Sequence, residues 1–342
     1  MSKKRYTIKD IAIKLDISVS TVSRVLRGAP DVNENTRRRV LSMVEALNYK
    51  RNPLAMSLAS KKSYTIGVIV PELSVPFFGE AITGMQDYLQ NNGYKVIVCP
   101  TGESYENEVN QVEMLRENRV DGIIISVSKE TENYEHLYLA KEDLPVVMFD
   151  RVIPSLKKDF SKVIVNDREG AFNATAHLIE HGYKRIAHIS GPKNLFICQE
   201  RLMGYKEALE VYGLEFDESL LIHCNMRINA SKATLQLLHL ENRPDAIFAI
   251  NDPVAFEIMS KLTRLGIKIP NEMGVIGYTG SKMAKLFNPS LSTIRQPAQR
   301  MGEEAARLIL DEITQRSRNE KNIEPKQIEL PTELISGESS IK

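Results

Sequence analysis

Thr7-Ile-Lys-Asp-Ile-Ala-Ile-Lys-Leu-Asp-Ile-Ser-Val-Ser-Thr-Val-Ser-Arg-Val-Leu-Arg-Gly28 decides how this chain begins. Apolar residues recur at Ile8, Ile11, Leu15, Ile17, Val22 and Val25, a spacing that gives two short helices one shared core. Ala12 stands where the second helix must cross closely over the first. Thr7 and Asp10 have capping-box spacing, Leu15-Asp16-Ile17 is the turn, and Ser18 is placed to N-cap helix two. Left outside are Ser18, Val19, Ser20, Thr21, Ser23 and Arg24, short polar groups and one arginine that can reach base edges and phosphates. Asn33 caps a third helix over about 34–47, with Val40, Val44 and Leu47 facing inward. The stretch predicts an all-α helix-turn-helix head.

Charge supports that reading. Residues 1–62 hold 14 Lys plus Arg against 5 Asp plus Glu, a net of +9, whereas residues 63–342 carry a net of −8. A basic arm on an acidic body implies that only the arm meets a polyanion. The chain of 342 residues exceeds the usual size of one core and calls for two or three domains. Its three cysteines, Cys99, Cys198 and Cys224, lack metal-site spacing and read as thiols in a reducing cytosol. The N-terminus lacks the apolar core of a signal peptide, and the longest apolar runs are too short to span a bilayer. The chain therefore reads as cytoplasmic and soluble.

Beyond a polar linker at Ser60-Lys-Lys-Ser63, strand-like and helix-like segments alternate. Short Val- and Ile-rich runs at 65–70, 95–99, 121–126, 145–149, 162–165, 186–190, 220–224, 245–250 and 273–278 fit parallel strands covered on both faces. Amphipathic helices lie between them at 77–92, 106–117, 168–182, 199–212, 230–240, 253–265 and 298–316. Such alternation means βαβ units. So many strands split into two doubly wound lobes near 160–164, with helix 298–316 and segment 326–336 to be shared between them.

Signals for other chemistry are thin. His177 and His181 share a helix face without a third ligand, and Ser155-Leu-Lys-Lys158 has no companion motif. No glycine-rich phosphate loop follows any strand. We expect no enzyme, no metal and no cofactor.

The residues together resemble the LacI/GalR transcriptional regulators across essentially the whole chain. The head match is Thr7-Ile-Lys-Asp-Ile-Ala12 with Ser20-Thr-Val-Ser-Arg-Val-Leu26, followed by Thr36-Arg-Arg-Arg-Val40 and Asn52-Pro-Leu-Ala-Met-Ser-Leu58. The body match includes Pro76-Phe-Phe78, Val120-Asp-Gly-Ile-Ile124, His188-Ile-Ser-Gly-Pro192, Arg201-Leu-Met-Gly-Tyr205, Asn251-Asp252 and Pro289-Ser-Leu-Ser-Thr-Ile-Arg-Gln296. The resemblance implies a head at 1–50 and a hinge helix with linker at 51–63. A periplasmic-binding-protein-like α/β body follows, with one lobe at 64–163 plus 293–320 and the other at 164–292 plus 321–338.

It also implies roles. Val19, Ser20 and Arg24 would read bases in the major groove, Arg24 through two bonds to a guanine. Ile8, Lys9, Ser18, Thr21, Ser23, Asn33, Thr36 and Tyr49 would touch the DNA around them. In the hinge, Asn52, Ala55 and Leu58 would meet the minor groove, Leu58 as a wedge between base pairs. Asp16 departs from the family's usual Gly at the turn, which Asp tolerates in left-handed geometry.

The effector would sit between the lobes beside the carboxyl ends of strands. By position it would meet Phe77, Phe78, Asp150, Asn166, Arg201, Asn251, Thr279 and Gln296, with one phenylalanine of the pair serving the core. Thr279-Gly280 replace the acidic or amide residues of many sugar-binding members. The implied function is a homodimeric repressor of pseudo-palindromic operator DNA, controlled by a sugar or sugar derivative. Control by a docking protein and a solute-binding receptor are the alternatives. Past Gly337 there is no apolar heptad, so no tetramer tail is expected.

Overall fold

The computed structural model describes residues 6–26, 28–47, 49, 62–153, 159–224, 229–318, 320 and 323–342. Two compact units emerge, Met1–Ser63 and Tyr64–Lys342. Asn52, Ala55, Leu58 and the rest of the expected hinge helix lie outside the described residues, as does Ser155–Lys158.

The first unit contains α1 (Ile8–Leu15), α2 (Val19–Leu26) and α3 (Glu34–Ala46). Both halves of the expected capping box are made: the Asp10 N–H donates to Thr7 Oγ1, and Asp10 accepts from the Thr7 N–H at 2.7 Å. Asp16 ends α1 at φ 52° and ψ 51°, the left-handed turn expected of it. Ile11, Ala12, Leu15, Val22, Val25 and Val40 form one buried cluster. Arg37 and Arg39 each reach a backbone carbonyl from α3. Arg37 donates to the Ala29 carbonyl at 2.5 Å and Arg39 to the Leu15 carbonyl at 3.1 Å. Each cation ties α3 to a loop end that would otherwise leave its carbonyl to water.

The second unit holds two six-stranded sheets. The first is ordered β11-β5-β4-β3-β1-β2 and is parallel throughout. Its strands are β1 (Thr65–Val70), β2 (Lys95–Pro100), β3 (Gly122–Ile125), β4 (Val146–Phe149), β5 (Ser161–Val165) and β11 (Gln327–Leu330). Helices α4 (Pro76–Asn91) and α11 (Ala298–Ser317) cover one face, and α5 (Tyr105–Glu117) and α6 (Glu135–Asp143) the other.

The second sheet is ordered β12-β10-β9-β8-β6-β7, with only β12 antiparallel. It contains β6 (Ile186–Ser190), β7 (Leu221–His223), β8 (Ala246–Ala249), β9 (Gly274–Thr279), β10 (Ser292–Arg295) and β12 (Glu333–Ile335). Helices α7 (Asp167–Glu180) and α8 (Phe196–Val211) cover one face, and α9 (Ala230–Leu238) and α10 (Asp252–Arg264) the other.

Glycines let two helix pairs touch backbone to backbone. A Cβ on Gly302 of α11 would lie 1.9 Å from the Ala81 carbonyl of α4, and one on Gly204 of α8 would lie 2.0 Å from the Arg168 carbonyl of α7. The His177 and His181 rings lie 4.2 Å apart at a tilt of 45°, and His177 Nε2 meets Ser340 Oγ at 2.7 Å. Burial, then the neighbouring His181, lowers the His177 pKa to about 4, so this imidazole is neutral and anchors the C-terminal turn.

The expected lobe boundaries need correction. Residues 161–165 complete the first sheet, so that crossing falls at Asn166 rather than 163. Residues 292–295 pair with β9, so the chain returns to the first lobe after Gln296, not at 293. Segment 321–338 is not wholly second-lobe: 327–330 adds to the open edge of β5, and 333–335 adds to β10. The cause is edge pairing, since each sheet's last strand exposes a ladder that one short run can satisfy. The helix at 135–143 carries only weak apolar periodicity.

Candidate functional site

On the head, Ser18, Val19, Ser20 and Arg24 are exposed along α2. Ser18 Oγ accepts from the Thr21 N–H at 3.1 Å as the expected cap and lies 2.7 Å from Ser20 Oγ and 2.8 Å from Thr21 Oγ1. Lys9 and Asn33 are exposed, and Asn33 Oδ1 accepts from the Asn35 N–H. Thr21, Ser23 and Thr36 are half-buried, and Ile8 and Tyr49 pack against the apolar cluster. Arg24 forms an ion pair with Asp31.

In the body, strands end in a polar cluster. Arg201, buried on α8, donates through Nε to Asp167 Oδ1 at 2.7 Å and through Nη1 to the Ile250 carbonyl at 2.6 Å. Its guanidinium lies 3.7 Å from the centroid of the buried Tyr278 ring. Burial opposes the charge on Arg201, but Asp167, Tyr278 and Asp150 outweigh it and hold its pKa above the usual range. Burial raises the Asp167 carboxyl while Arg201 pulls it back.

From the first lobe comes Asp150, at the end of β4 with φ 58°. Burial pushes its pKa up to about 6 against the opposing pull of Arg151. Gln296 Nε2 reaches Asp150 Oδ1 at 3.5 Å. Beside Asp150 opens a cavity of about 270 Å³ lined by Asn166, Asp167, Phe196, Glu200 and Glu329 among others. Its walls come from both lobes, and its size suits one small ligand.

The expected effector residues thus divide. Asp150, Arg201 and Gln296 converge, with Asn166 beside them. Asn166 and Asn251 spend their side-chain oxygens capping α7 and α10, accepting from Glu169 and Val254 N–H at 3.0 Å each. Thr279 helps to solvate Asp252. That buried carboxylate also accepts from Thr293 Oγ1 and the Ser281 N–H, each at 2.6 Å. Both phenylalanines belong to the core cluster of the first lobe, because the residues after β1 enter α4 directly and its inner face takes both rings. Phe78 meets Phe149 edge-on at 6.3 Å, while Phe77 borders Pro253 and Thr279 of the second lobe.

Sequence reading missed Asp167, Tyr278, Arg151 and Glu103. Arg151 Nη1 donates to both Glu103 carboxylate oxygens at 2.9 and 2.8 Å. Glu103 Oε2 also accepts from the Lys129 N–H, and the Lys129 carbonyl accepts from Asn194 of the other lobe at 2.5 Å. Asp167 and Arg151 each follow an expected site residue by one position, the available signal for both. Three buried polar atoms without a hydrogen-bond partner, Ser126 Oγ, Ser190 Oγ and Arg151 Nε, also lie at strand carboxyl ends. Among the described residues, no group of three or more His, Cys, Asp and Glu could hold a metal. No helix among them is long and apolar enough to cross a membrane.

A helix-turn-helix head and a two-lobed body with polar strand ends define a ligand-responsive DNA-binding regulator. Residues 7–52 match the bacterial regulatory proteins of the lacI family, and residues 63–336 match the periplasmic binding proteins and sugar binding domain of the LacI family. The chain belongs to the LacI family. It is 36% identical over 330 residues to the HTH-type transcriptional repressor PurR of Vibrio atlanticus (strain LGP32), covering 96% of this chain and 97% of that one. A transcriptional regulator CelR–cellobiose complex matches with a TM-score of 0.73 and 29% identity, over 98% of this chain and all of the other. A LacI-type regulator from Alkaliphilus metalliredigens QYMF complexed with D-xylulofuranose matches at 0.68 and 28% identity, over 82% of this chain and all of the other.

Proposed function

We propose that this protein is a cytoplasmic, homodimeric repressor without catalytic activity, whose operator affinity is set by a sugar or sugar derivative bound between the lobes. The observation that carries the effector reading is the convergence of Asp150 and Gln296 on the buried Arg201–Asp167 pair beside a cavity walled by both lobes. A carboxylate, an amide and a guanidinium suit the neighbouring hydroxyls of a sugar. Cellobiose and D-xylulofuranose in two related regulators favour the same class.

For the DNA, Arg24, Ser20 and Val19 read bases. Ser18, Thr21, Ser23, Asn33, Thr36, Lys9, Ile8 and Tyr49 hold or brace the head on the backbone. Exposed apolar residues support pairing of two copies. Leu286 is 81% exposed and Met283 49%, on a turn whose Lys282 meets Glu80 of α4 at 3.0 Å.

The test uses the full chain. Sugars, sugar phosphates and nucleobases are screened by thermal shift, and hits are followed by calorimetry and by duplex binding over a salt series. A saturable sugar signal that changes operator affinity is expected. Binding only to a nucleobase would overturn the effector class. No saturable small-molecule signal would favour control by a docking protein, and no salt-dependent duplex binding would remove the DNA reading.

A further inference from the structure

Asp31 is out of place on a surface meant to meet a polyanion. Acidic side chains there repel phosphates and oppose the counterion release that drives binding. Elsewhere on the head Asp10 is spent in the capping box and Glu34 lies beside Arg37 at 3.6 Å, while Asp16 serves the left-handed turn. Asp31 instead meets Arg24, the one arginine exposed along α2.

The loop carrying Asp31 is anchored on both sides. Gly28, at φ 74°, closes α2: its N–H donates to the Val25 carbonyl and the Ala29 N–H to the Arg24 carbonyl, both at 3.0 Å. Arg37 then holds the Ala29 carbonyl at 2.5 Å, Pro30 stiffens the next step, and Asn33 caps α3. The backbone carrying Asp31 is thus held on both sides, and the long arginine reaches across to its carboxylate. Arg24 still keeps 48% of its side-chain surface exposed, which leaves part of it open to a base.

We propose that Asp31 is a positioning residue for base recognition. It holds one edge of the Arg24 guanidinium so that the other is presented, already ordered, to a guanine in the major groove. The inference rests on the reading of Arg24 as a base-contacting residue. Fixing one long side chain before contact spares ordering entropy that binding would otherwise cost, equivalent to about three- to tenfold in discrimination. The effect is confined to one base pair, because Asp31 acts only through Arg24.

The experiment selects an operator for the full-length protein from a randomised duplex pool. Affinities for every single-base variant are then measured for wild type, Arg24→Ala, Asp31→Asn and Asp31→Ala, with unrelated duplex as the non-specific reference. Arg24→Ala identifies the base pair that Arg24 reads. At that pair both Asp31 variants should lose about three- to tenfold in discrimination, with other positions within about twofold and non-specific affinity unchanged or higher. Unchanged discrimination there, or tighter specific binding with discrimination kept, would overturn the proposal and make Asp31 a bystander or a competitor for Arg24. If Arg24→Ala altered discrimination nowhere, the underlying reading of Arg24 would fall and this one with it. Asp31 is exposed, so its variants should fold, and unchanged thermal unfolding of the head checks that point.

Discussion

Removing the Asp167 carboxylate tests whether the Arg201 cluster is held by charge compensation. The two side chains are 3% and 8% exposed and 2.7 Å apart, so neither charge has water to fall back on. Breaking a buried pair by deleting one partner costs about 3–5 kcal/mol, mostly because the survivor is left uncompensated. Asp167→Ala should sit in that range. Asp167→Asn keeps an acceptor for Arg201 Nε, and the Ile250 carbonyl and Tyr278 ring remain, so about 2–4 kcal/mol is expected. For a body of this size each kcal/mol lowers Tm by about 2 °C, giving about 6–10 °C for the alanine variant in scanning calorimetry at pH 7.5. Arg201→Ala should behave differently, because burial already raises the Asp167 carboxyl and the stranded acid can take up a proton. Its deficit against wild type should shrink as pH falls toward the unfolded carboxyl value. The double alanine variant should cost less than the sum of the singles. A shift under about 2 °C for Asp167→Ala, or strictly additive singles, would refute the compensation argument.

Other perturbations probe packing, titration and the reader itself. Gly302→Ala should destabilise the body by about 2 kcal/mol or more, since its Cβ would stand 1.9 Å from the Ala81 carbonyl. Gly79→Ala on α4, with nothing within 4 Å of the added methyl, should be neutral or slightly stabilising in the same denaturant titration. Asp150, raised by burial from 3.8 to about 6, is an acid that the fold prefers neutral. Its penalty is absent below pH 4, grows between pH 4 and 6, and is complete above pH 6. Asp150→Asn should therefore stabilise the unliganded body by up to about 3 kcal/mol at pH 7.5 and by nothing at pH 3.5, read from urea midpoints. Leu58→Ala should weaken operator binding at least tenfold while leaving non-specific affinity within about twofold, and equal losses on both duplexes would remove the wedge role.

The sequence made the elements plain because each obeys a local rule. Val-Ile-Val runs with helical periods between them match β1 to β9 to within about two residues, whereas β10 had no such run. Thr7, Ser18 and Asn33 marked helix starts because capping is local chemistry. Sheet membership was less legible: a run such as Gln327–Leu330 carries no mark of the edge it will join, and Pro331-Thr332 gives only a hint that the chain changes sheets there. The site was half legible. Position at a strand end singled out Asp150, and the family-matched run singled out Arg201, but neither revealed that Asn166 and Asn251 would turn their oxygens to helix N-termini. The carbonyl bonds of Arg37 and Arg39 were not legible, because sequence does not reveal which carbonyls a fold leaves unpaired.

Each lobe has its own apolar cores, so the balance between lobe arrangements rests on the contacts that cross between them. Those include Gln296 with Asp150 at 3.5 Å, Asn194 with the Lys129 carbonyl at 2.5 Å, and the exposed Lys282–Glu80 pair. Contacts of these kinds contribute about 1 kcal/mol or less apiece, so closing and opening differ by amounts that one ligand can supply. A ligand shifts that balance only by binding one arrangement better, which requires it to engage both lobes together. In the proposed site, Asp150 on one side and Arg201 on the other would meet that requirement. The burial that makes Asp150 costly when ionised and unliganded also strengthens a hydroxyl bond to it. The carboxylate therefore lowers the stability of the empty body and raises the differential affinity through which an effector acts.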